Sequence, residues 1–265
     1  MVLHKKKSNE NEHNTMQRFY LAITILIFCS LAFSKSRTLW TPEKYEEYHY
    51  RTFSQLSVVQ HPINMNNIDY FLLHAAIFYE TNRIRAKAGL PRLKHSYNLE
   101  VAAKSHSSDM VVLDFFDHQS PIEDKQTVLD RLEQVGLANG YMAENIAYVS
   151  GIRRDPDRPI FTPKQNSGYF SHEYRGRPIP NHSYLSLARE VVRQWMLSES
   201  HRKNILNPQY RYLGCGAEHF RDPDFFYMDR FKITQYFSSH PGRHEDLKQP
   251  KHERITYNIA PSRIY

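Results

Sequence analysis

The stretch WMLSESHRKNIL, residues 195–206, closes a run in which apolar side chains recur at helical spacing. Leu187, Val191 and Trp195 share one face of that run, which predicts an amphipathic helix over residues 186–197. A second stretch, AENIA at residues 143–147, places the acid Glu144 directly before an amide and two apolar residues. An acid in such a setting needs a polar partner if it is enclosed, so Glu144 is a candidate for a functional carboxylate or for a salt bridge.

Helical patterns precede these two stretches. Residues 41–60 open with Thr41 as a helix cap and a proline at the first helical position, which predicts an additional helix. A longer helix is predicted over residues 68–88, with Gly89 at the position where glycine commonly ends a helix. Ser96 is typical of the start of a second helix of the domain.

The region after residue 120 completes the pattern. Pro121 begins a third predicted helix, which ends at Gly136. Aromatic and β-branched residues predict strands at residues 212–220 and 226–237. Helices therefore come first and strands close the domain, an order that favours an α+β fold over an alternating parallel one.

Composition divides the chain into four parts. Residues 35–67 are interpreted as an N-terminal helical extension, and residues 68–238 as the main domain. Within that domain, residues 150–183 carry five prolines and several arginines without sustained periodicity, which predicts a long insertion. Residues 239–265 form a polar and basic tail.

The N-terminal part, residues 1–34, is predicted to be an export segment. Residues 19–33 are apolar and uncharged, follow basic residues, and are shorter than the roughly 20 residues of a typical membrane span. Small residues near Ser34 suit signal cleavage. A retained membrane anchor and a buried helix are the alternatives. Removal of the segment would take Cys29 with it and leave Cys215 as the remaining thiol, so the exported domain would have no intramolecular disulfide.

Several function classes lack their signatures. The net charge is +7, but the basic residues are scattered and match no nucleic-acid-binding motif, so no nucleic-acid partner is predicted. The chain contains no P-loop, no GxGxxG fingerprint, no HExxH zinc helix and no GxSxG elbow. Cys215 lies in an apolar run and is predicted to be a buried, inert thiol.

Short motifs follow one another in a fixed order over about residues 69–237. They are N-x-x-R at Asn82, F-x-H at Phe116, AENIA at Ala143, W-M-x-S-x-x-H-R-x-N-I-L at Trp195 and T-Q-x-F at Thr234. Together they resemble the CAP superfamily, the SCP-like domain of cysteine-rich secretory proteins, antigen 5 and plant pathogenesis-related class 1 proteins. The disulfide-free bacterial branch of that superfamily is the most similar.

The resemblance implies a fold and a site. The fold would be an α-β-α sandwich with a small antiparallel sheet between helical layers and an open cleft. His118, Glu144 and His201 match the positions that line the cleft, where some members bind a divalent metal such as zinc. Two imidazoles and one carboxylate suit zinc with an open position for water. Structural hydrogen bonding is the alternative for both histidines.

Other site residues are expected to play supporting roles. Asn145, Ser198 and Gln235 would support the cleft or satisfy buried backbone groups. The chain departs from the eukaryotic pattern at two positions, with Ser198 in place of a glutamate and Lys232 in place of a histidine, which weighs against activity that depends on the complete set. Trp195 and Phe116 are predicted to pack against other side chains rather than to form a ligand platform. His106 is predicted to be a hydrogen-bonded core histidine rather than a ligand.

The leading functional hypothesis is an exported, secreted or envelope-associated binding or interaction module. Its His/Glu cleft would take a divalent metal, a small hydrophobic ligand or an extracellular partner. The alternative is a metal-assisted extracytoplasmic hydrolase, similar to a peptidase, in which zinc-bound water is the nucleophile. A third hypothesis is a structural envelope module tethered by residues 19–33.

Overall fold

The computed structural model of the protein describes residues 40–241. The predictions for residues 1–34, including the export segment or membrane anchor at residues 19–33, lie outside the described residues, as does the tail beyond residue 241. Among the helices within the described range, none has both the length and the apolarity that a membrane span requires.

Residues 41–60 form three short helices, so the prediction of one helix beginning at Thr41 is wrong. The helices are α1 (Lys44–Glu47), α2 (Tyr50–Phe53) and α3 (Ser57–Gln60). Tyr48 is extended after α1 with ψ 153°, and the His49 side chain then caps α2. Local capping therefore interrupts a pattern that reads as continuous in sequence.

The two long helices predicted in the first half of the chain are confirmed. Helix α4 spans Tyr70–Lys87 and is followed by Gly89, whose φ of 72° is in the left-handed region. Helix α5 spans Tyr97–Val112, and the Ser96 side chain accepts a hydrogen bond from its first turn, as predicted.

The remaining helices are shorter. The predicted third helix is divided into a 3₁₀ turn (Glu123–Lys125) and α6 (Val128–Glu133), because Thr127 caps α6 with its own capping box. Helix α7 spans Tyr184–Leu197 and α8 spans Glu199–Leu206. Ser198, with ψ 128°, is extended and separates α7 from α8.

Four strands form one sheet within the described residues. They are β1 (Lys94–His95), β2 (Met142–Ser150), β3 (Tyr212–Asp222) and β4 (Met228–Ser238). The order in the sheet is β1-β3-β4-β2, so β2 is an edge strand. Strands β2, β4 and β3 are antiparallel, whereas β1 is parallel to β3, so the sheet is mixed rather than wholly antiparallel.

Helices cover both faces of the sheet, which confirms the predicted α-β-α sandwich. The larger core joins α4 and α7 to one face of the sheet, through side chains that include Leu73, Ile77, Val191, Trp195, Phe231 and Ile233. The smaller core joins α5 and α6 to the other face, through Leu99, Ala103, Leu132 and Tyr236. A Cβ atom added to Gly216 would lie 2.1 Å from the backbone nitrogen of Lys104, so this glycine lets α5 approach the sheet closely.

Residues 151–183, within the predicted insertion, contain no regular helix or strand. Isolated bridges such as Phe161 to Ser171 and Ile152 to Asn181 organise the segment. Ile152 also packs in a small apolar cluster with Phe170, Ile179 and Met228. The insertion thus packs through this small cluster against the start of β4.

Candidate functional site

Glu144 is a buried carboxylate on edge strand β2. The register places it opposite Tyr236 of β4, on the face covered by α5 and α6. Its Oε1 lies 2.6 Å from His118 Nδ1, and its Oε2 accepts from Arg131 Nη2 at 2.9 Å. Burial alone would raise the pKa of Glu144, but the hydrogen bond from His118 and the charge of Arg131 outweigh it and lower the pKa. Glu144 is therefore an ionised acceptor in the folded protein.

Arg131 holds the parts of this site together. It lies on α6 with its side chain buried, and its Nε donates to Tyr236 Oη at 2.6 Å. Two further hydrogen bonds from Arg131 go to backbone carbonyls. Nη2 donates to the carbonyl of His118 at 2.9 Å, and Nη1 donates to the carbonyl of Lys125 at 2.8 Å. One guanidinium thus fixes both the carboxylate and the loop that carries His118.

His118 is oriented on one side and open on the other. Because ionised Glu144 can only accept, the Nδ1 atom of His118 carries the proton and its Nε2 remains an acceptor in the neutral ring. The side chain is 53% exposed. The hydrogen bond to Glu144 raises the pKa of His118, since it favours the charged ring.

His201 comes to the same place from α8. Its ring centroid lies 6.4 Å from that of His118, and the side chain is half-buried. Burial lowers the pKa of His201, and the neighbouring His118 lowers it further. The structure therefore brings His118, Glu144 and His201 together at one edge of the sheet, with one imidazole favouring the charged form and the other the neutral form.

The three-ligand zinc site implied by the family resemblance does not fit this geometry. Both oxygens of Glu144 already accept hydrogen bonds, one from His118 and one from Arg131. The guanidinium beside the carboxylate also repels a dication. Within residues 40–241, no three His, Cys, Asp or Glu side chains are placed to hold a metal ion together. Glu144 instead orients His118.

Two of the predicted supporting residues contact this site through amide hydrogen bonds. Asn145 Nδ2 donates to the backbone carbonyl of His201 and to Gln235 Oε1, both at 3.3 Å. Asn204 Nδ2 donates to Asn145 Oδ1 at 2.9 Å, and Gln235 Nε2 donates to Thr81 Oγ1 at 2.8 Å. Asn145 and Gln235 are fully buried, so this chain of amides fixes α8, and with it His201, against the sheet.

The two departures from the family pattern have structural roles. The Ser198 hydroxyl lies 3.2 Å from Ser200 Oγ at the junction of α7 and α8. The buried Lys232 Nζ donates to the Met110 carbonyl at 2.8 Å and lies 3.3 Å from Asp114 Oδ1. Neither side chain hydrogen-bonds to His118, Glu144 or His201 in the described part of the chain.

Sequence reasoning missed three partners of Glu144: Arg131, Tyr236 and His106. His106 is buried, as predicted for a core histidine, but its Nε2 also lies 3.5 Å from Glu144 Oε2. Burial lowers the pKa of His106 to about 4. Its place on the apolar face of α5 was a usable signal, whereas no local pattern linked Arg131 or Tyr236 to the acid.

The two aromatic residues predicted to pack behave differently. Trp195 is buried, and its Nε1 donates to the Ile146 carbonyl at 2.8 Å, which confirms the prediction. Phe116 packs only in part, because its side chain is 44% exposed. Its ring lies 5.9 Å from that of Tyr148, on the side of β2 that carries Glu144.

The fold and site define an α-β-α sandwich with a Glu-His pair and a second histidine at the edge of its sheet. The model of the CAP family, described as the cysteine-rich secretory protein family, matches residues 78–237. The chain therefore belongs to the CAP family.

Two similar proteins come from Bacillus subtilis. The uncharacterized protein YkwD is 32% identical over 136 residues, which are 51% of this chain and 38% of YkwD. The uncharacterized membrane protein YlbC is 29% identical over 138 residues, which are 52% of this chain and 29% of YlbC. The similarity thus spans about a third of the length of these relatives.

Solved structures of similar domains include bacterial proteins. One is an extracellular protein containing an SCP domain from Bacillus anthracis, with 24% identity, a TM-score of 0.43, and coverage of 68% of this chain and 45% of that chain. Another is an outer surface protein from Borrelia burgdorferi, with 17% identity, a TM-score of 0.41, and coverage of 68% of this chain and 98% of that chain.

Proposed function

We propose that the protein is an exported binding module of the CAP family, which recognises a small ligand through His118 and His201 at the edge of its sheet. The supporting observation is the 2.6 Å contact between His118 Nδ1 and Glu144, which fixes one imidazole beside a second while leaving it exposed. The apolar run at residues 19–33 supports export to the envelope or the medium.

The two rings suit a ligand with a polar head and an apolar body. The raised pKa of His118 favours a charged donor, and the lowered pKa of His201 favours a neutral ring that can accept. Phe116, two residues before His118, adds exposed aromatic area. A small amphipathic molecule such as a carboxylic acid with an alkyl chain combines these properties.

Calorimetric titration with decanoate tests this function. Binding should weaken at least about tenfold in His118→Ala and in His201→Ala, since each removes a ring that would contact the carboxylate. His61→Ala is the matched control, because His61 is an exposed histidine outside the site. Equal binding by all three variants, or no binding by the unaltered protein, would contradict the proposal.

A divalent metal held by the two imidazoles is tested by the same variants. A zinc titration whose heat depends on both His118 and His201 would assign the pair to metal binding. If zinc binding produces no heat, or the same heat in both variants, the two imidazoles do not hold a metal. The proposal that they contact the ligand directly would then remain.

A second candidate is an extracytoplasmic hydrolase, which one observation favours. The Nδ1–H group of His118 donates to the Glu144 carboxylate. This hydrogen bond leaves Nε2 of the neutral ring able to accept a proton from water, as a general base does. Turnover of a fluorogenic peptide that disappears in His118→Ala and persists in His61→Ala would support it. No turnover by the unaltered protein would contradict it.

A further inference from the structure

A row of aromatic rings leads away from the site along the same face of the sheet. The ring of Phe116 lies 5.9 Å from Tyr148, and Tyr148 lies 5.7 Å from Phe220. The guanidinium of Arg230 continues the row, 5.0 Å from the Tyr148 ring and 5.3 Å from that of Phe225. We call this surface the aromatic row; it comprises Phe116, Tyr148, Phe220 and Phe225. The adjoining hairpin extends it through Phe226, whose ring lies 5.9 Å from that of Phe225, and through Tyr227, the next residue in the chain.

The hairpin between β3 and β4 presents two of these aromatic residues to solvent. Phe226 and Tyr227 have φ values of 53° and 56°, in the left-handed region that favours glycine or asparagine at hairpin turns. Tyr227 is nevertheless 68% exposed, so its ring gains little from packing within the domain. Residues in sparsely populated backbone regions cluster at functional sites, so this hairpin is a candidate for ligand contact.

The charges on this surface are balanced in pairs. Arg230 Nε lies 2.7 Å from Asp222, and Lys232 Nζ lies 3.3 Å from Asp114. Arg221, at the margin, lies 3.4 Å from Asp229. Paired charges attract neither an anionic headgroup nor a nucleic acid strongly, so the surface suits an uncharged ligand.

The polar groups beside the rings suit hydroxyl groups. The Asp114 side chain is almost fully exposed, and a carboxylate offers several acceptor sites. The Tyr148 hydroxyl, which donates to Asp222 Oδ2 at 3.1 Å, remains able to accept. A carbohydrate is a ligand that can stack a flat apolar face on aromatic rings and donate hydroxyl hydrogens to acceptors beside them.

We propose that the aromatic row binds a neutral glycan chain, its sugar rings stacked on the exposed aromatic faces and its hydroxyls bound by the Asp114 carboxylate and the Tyr148 hydroxyl. The surface is a second binding region beyond the imidazole pair. It shares Phe116 with that site but extends to the hairpin, so a glycan could occupy it without contacting His118 or His201.

Calorimetry with chitohexaose, an uncharged oligomer of N-acetylglucosamine, tests the proposal. Phe116→Ala and Tyr227→Ala should each weaken binding roughly three- to tenfold, the range expected for the loss of one aromatic contact. Tyr174→Ala is the matched control, since Tyr174 is 60% exposed in the insertion and has its own cation, Arg175, 5.2 Å from its ring. The control should bind as the unaltered protein does.

Three results would overturn the proposal. They are no binding of chitohexaose, equal weakening by Tyr174→Ala, and binding to phosphatidylglycerol vesicles, instead of the oligosaccharide, that depends on Tyr227. His118→Ala should leave chitohexaose binding unchanged, so the glycan surface and the imidazole site can fail separately. Thermal melts of Phe116→Ala and Tyr227→Ala confirm folding, which is expected because both side chains are exposed.

Discussion

Two buried glutamates each bind histidine side chains, but the histidines of the two clusters differ in their access to solvent. Glu144 on edge strand β2 accepts from His118 and Arg131. Glu100 on α5 lies 3.0 Å from His74 Nδ1 and 2.5 Å from His95 Nε2, with His95 on β1 at the other edge of the sheet. Burial alone would raise the pKa of Glu100, but hydrogen bonds from both histidines lower it to about 2.

The surroundings of the histidines separate the two clusters. The side chains of His74 and His95 are 1% and 6% exposed, whereas His118 is 53% exposed. Tyr45 closes the first cluster, with its ring stacked 3.7 Å from that of His95 and its hydroxyl donating to Glu100 at 3.2 Å. The Glu-His pairing is thus enclosed where the N-terminal extension covers it and accessible to solvent at His118.

The largest expected effect comes from neutralising the closed cluster. Glu100→Gln should lower the free energy of unfolding by about 3 to 5 kcal/mol, because it removes a buried charge that several donors surround. Glu199→Gln, at an exposed pair with Lys203, should change it by less than about 0.5 kcal/mol. Urea denaturation measures both, and similar values for the two variants would show that the Glu100 cluster contributes little.

A pH effect should come from the histidine beside Glu144. His106 has an ordinary pKa of 6.5 and a lowered value of about 4 in the fold, so between these values the unfolded chain binds a proton that the folded chain does not. Stability should therefore fall as the pH falls from 6.5 to 4, by up to about 3 kcal/mol from this group. His182, also lowered to about 4, adds a contribution of the same sign.

Denaturation curves across this pH range measure the effect, with His106→Gln as the test variant. Its stability should depend less steeply on pH than that of the unaltered protein, with the slope from His182 retained. An unchanged slope in His106→Gln would show that His106 is protonated in the folded state.

A smaller effect should come from the hydroxyl that closes the Glu100 cluster. Tyr45→Phe keeps the ring stacked on His95 and removes one hydrogen bond to a carboxylate, which should lower stability by about 1.5 to 3 kcal/mol. Tyr141→Phe, at an exposed position, should be neutral. If thermal melts give the same melting temperature for Tyr45→Phe and Tyr141→Phe, the hydrogen bond from Tyr45 to Glu100 contributes no stability.

The sequence predicts those elements whose local signals agree with their packing. Ser96 and Gly89 mark the ends of helices where the structure has them, because caps act locally. Strand β2 carries no strand pattern in the sequence. Met142–Ser150 is largely buried on both faces, so its polar and apolar residues do not alternate. Tyr45 and Glu100 are 55 residues apart, so no local pattern could reveal their contact.

From the sequence, the candidate site can be predicted only through the family resemblance. His118 and Glu144 are 26 residues apart and belong to a loop and a strand that meet through tertiary packing. The resemblance indicated their proximity but assigned Glu144 to a metal. Arg131 and Tyr236, whose contacts decide the role of the acid, are buried residues without a distinctive local pattern.

Histidine-ring NMR titration tests most directly whether Glu144 orients His118 and raises its pKa beside His201, whose pKa is lowered. The pKa of His118 should lie above 6.5 and that of His201 below it. In Glu144→Gln, the pKa of His118 should fall, because the ring loses its anionic acceptor. A pKa of His118 at or below 6.5, or one that Glu144→Gln leaves unchanged, would contradict the claim.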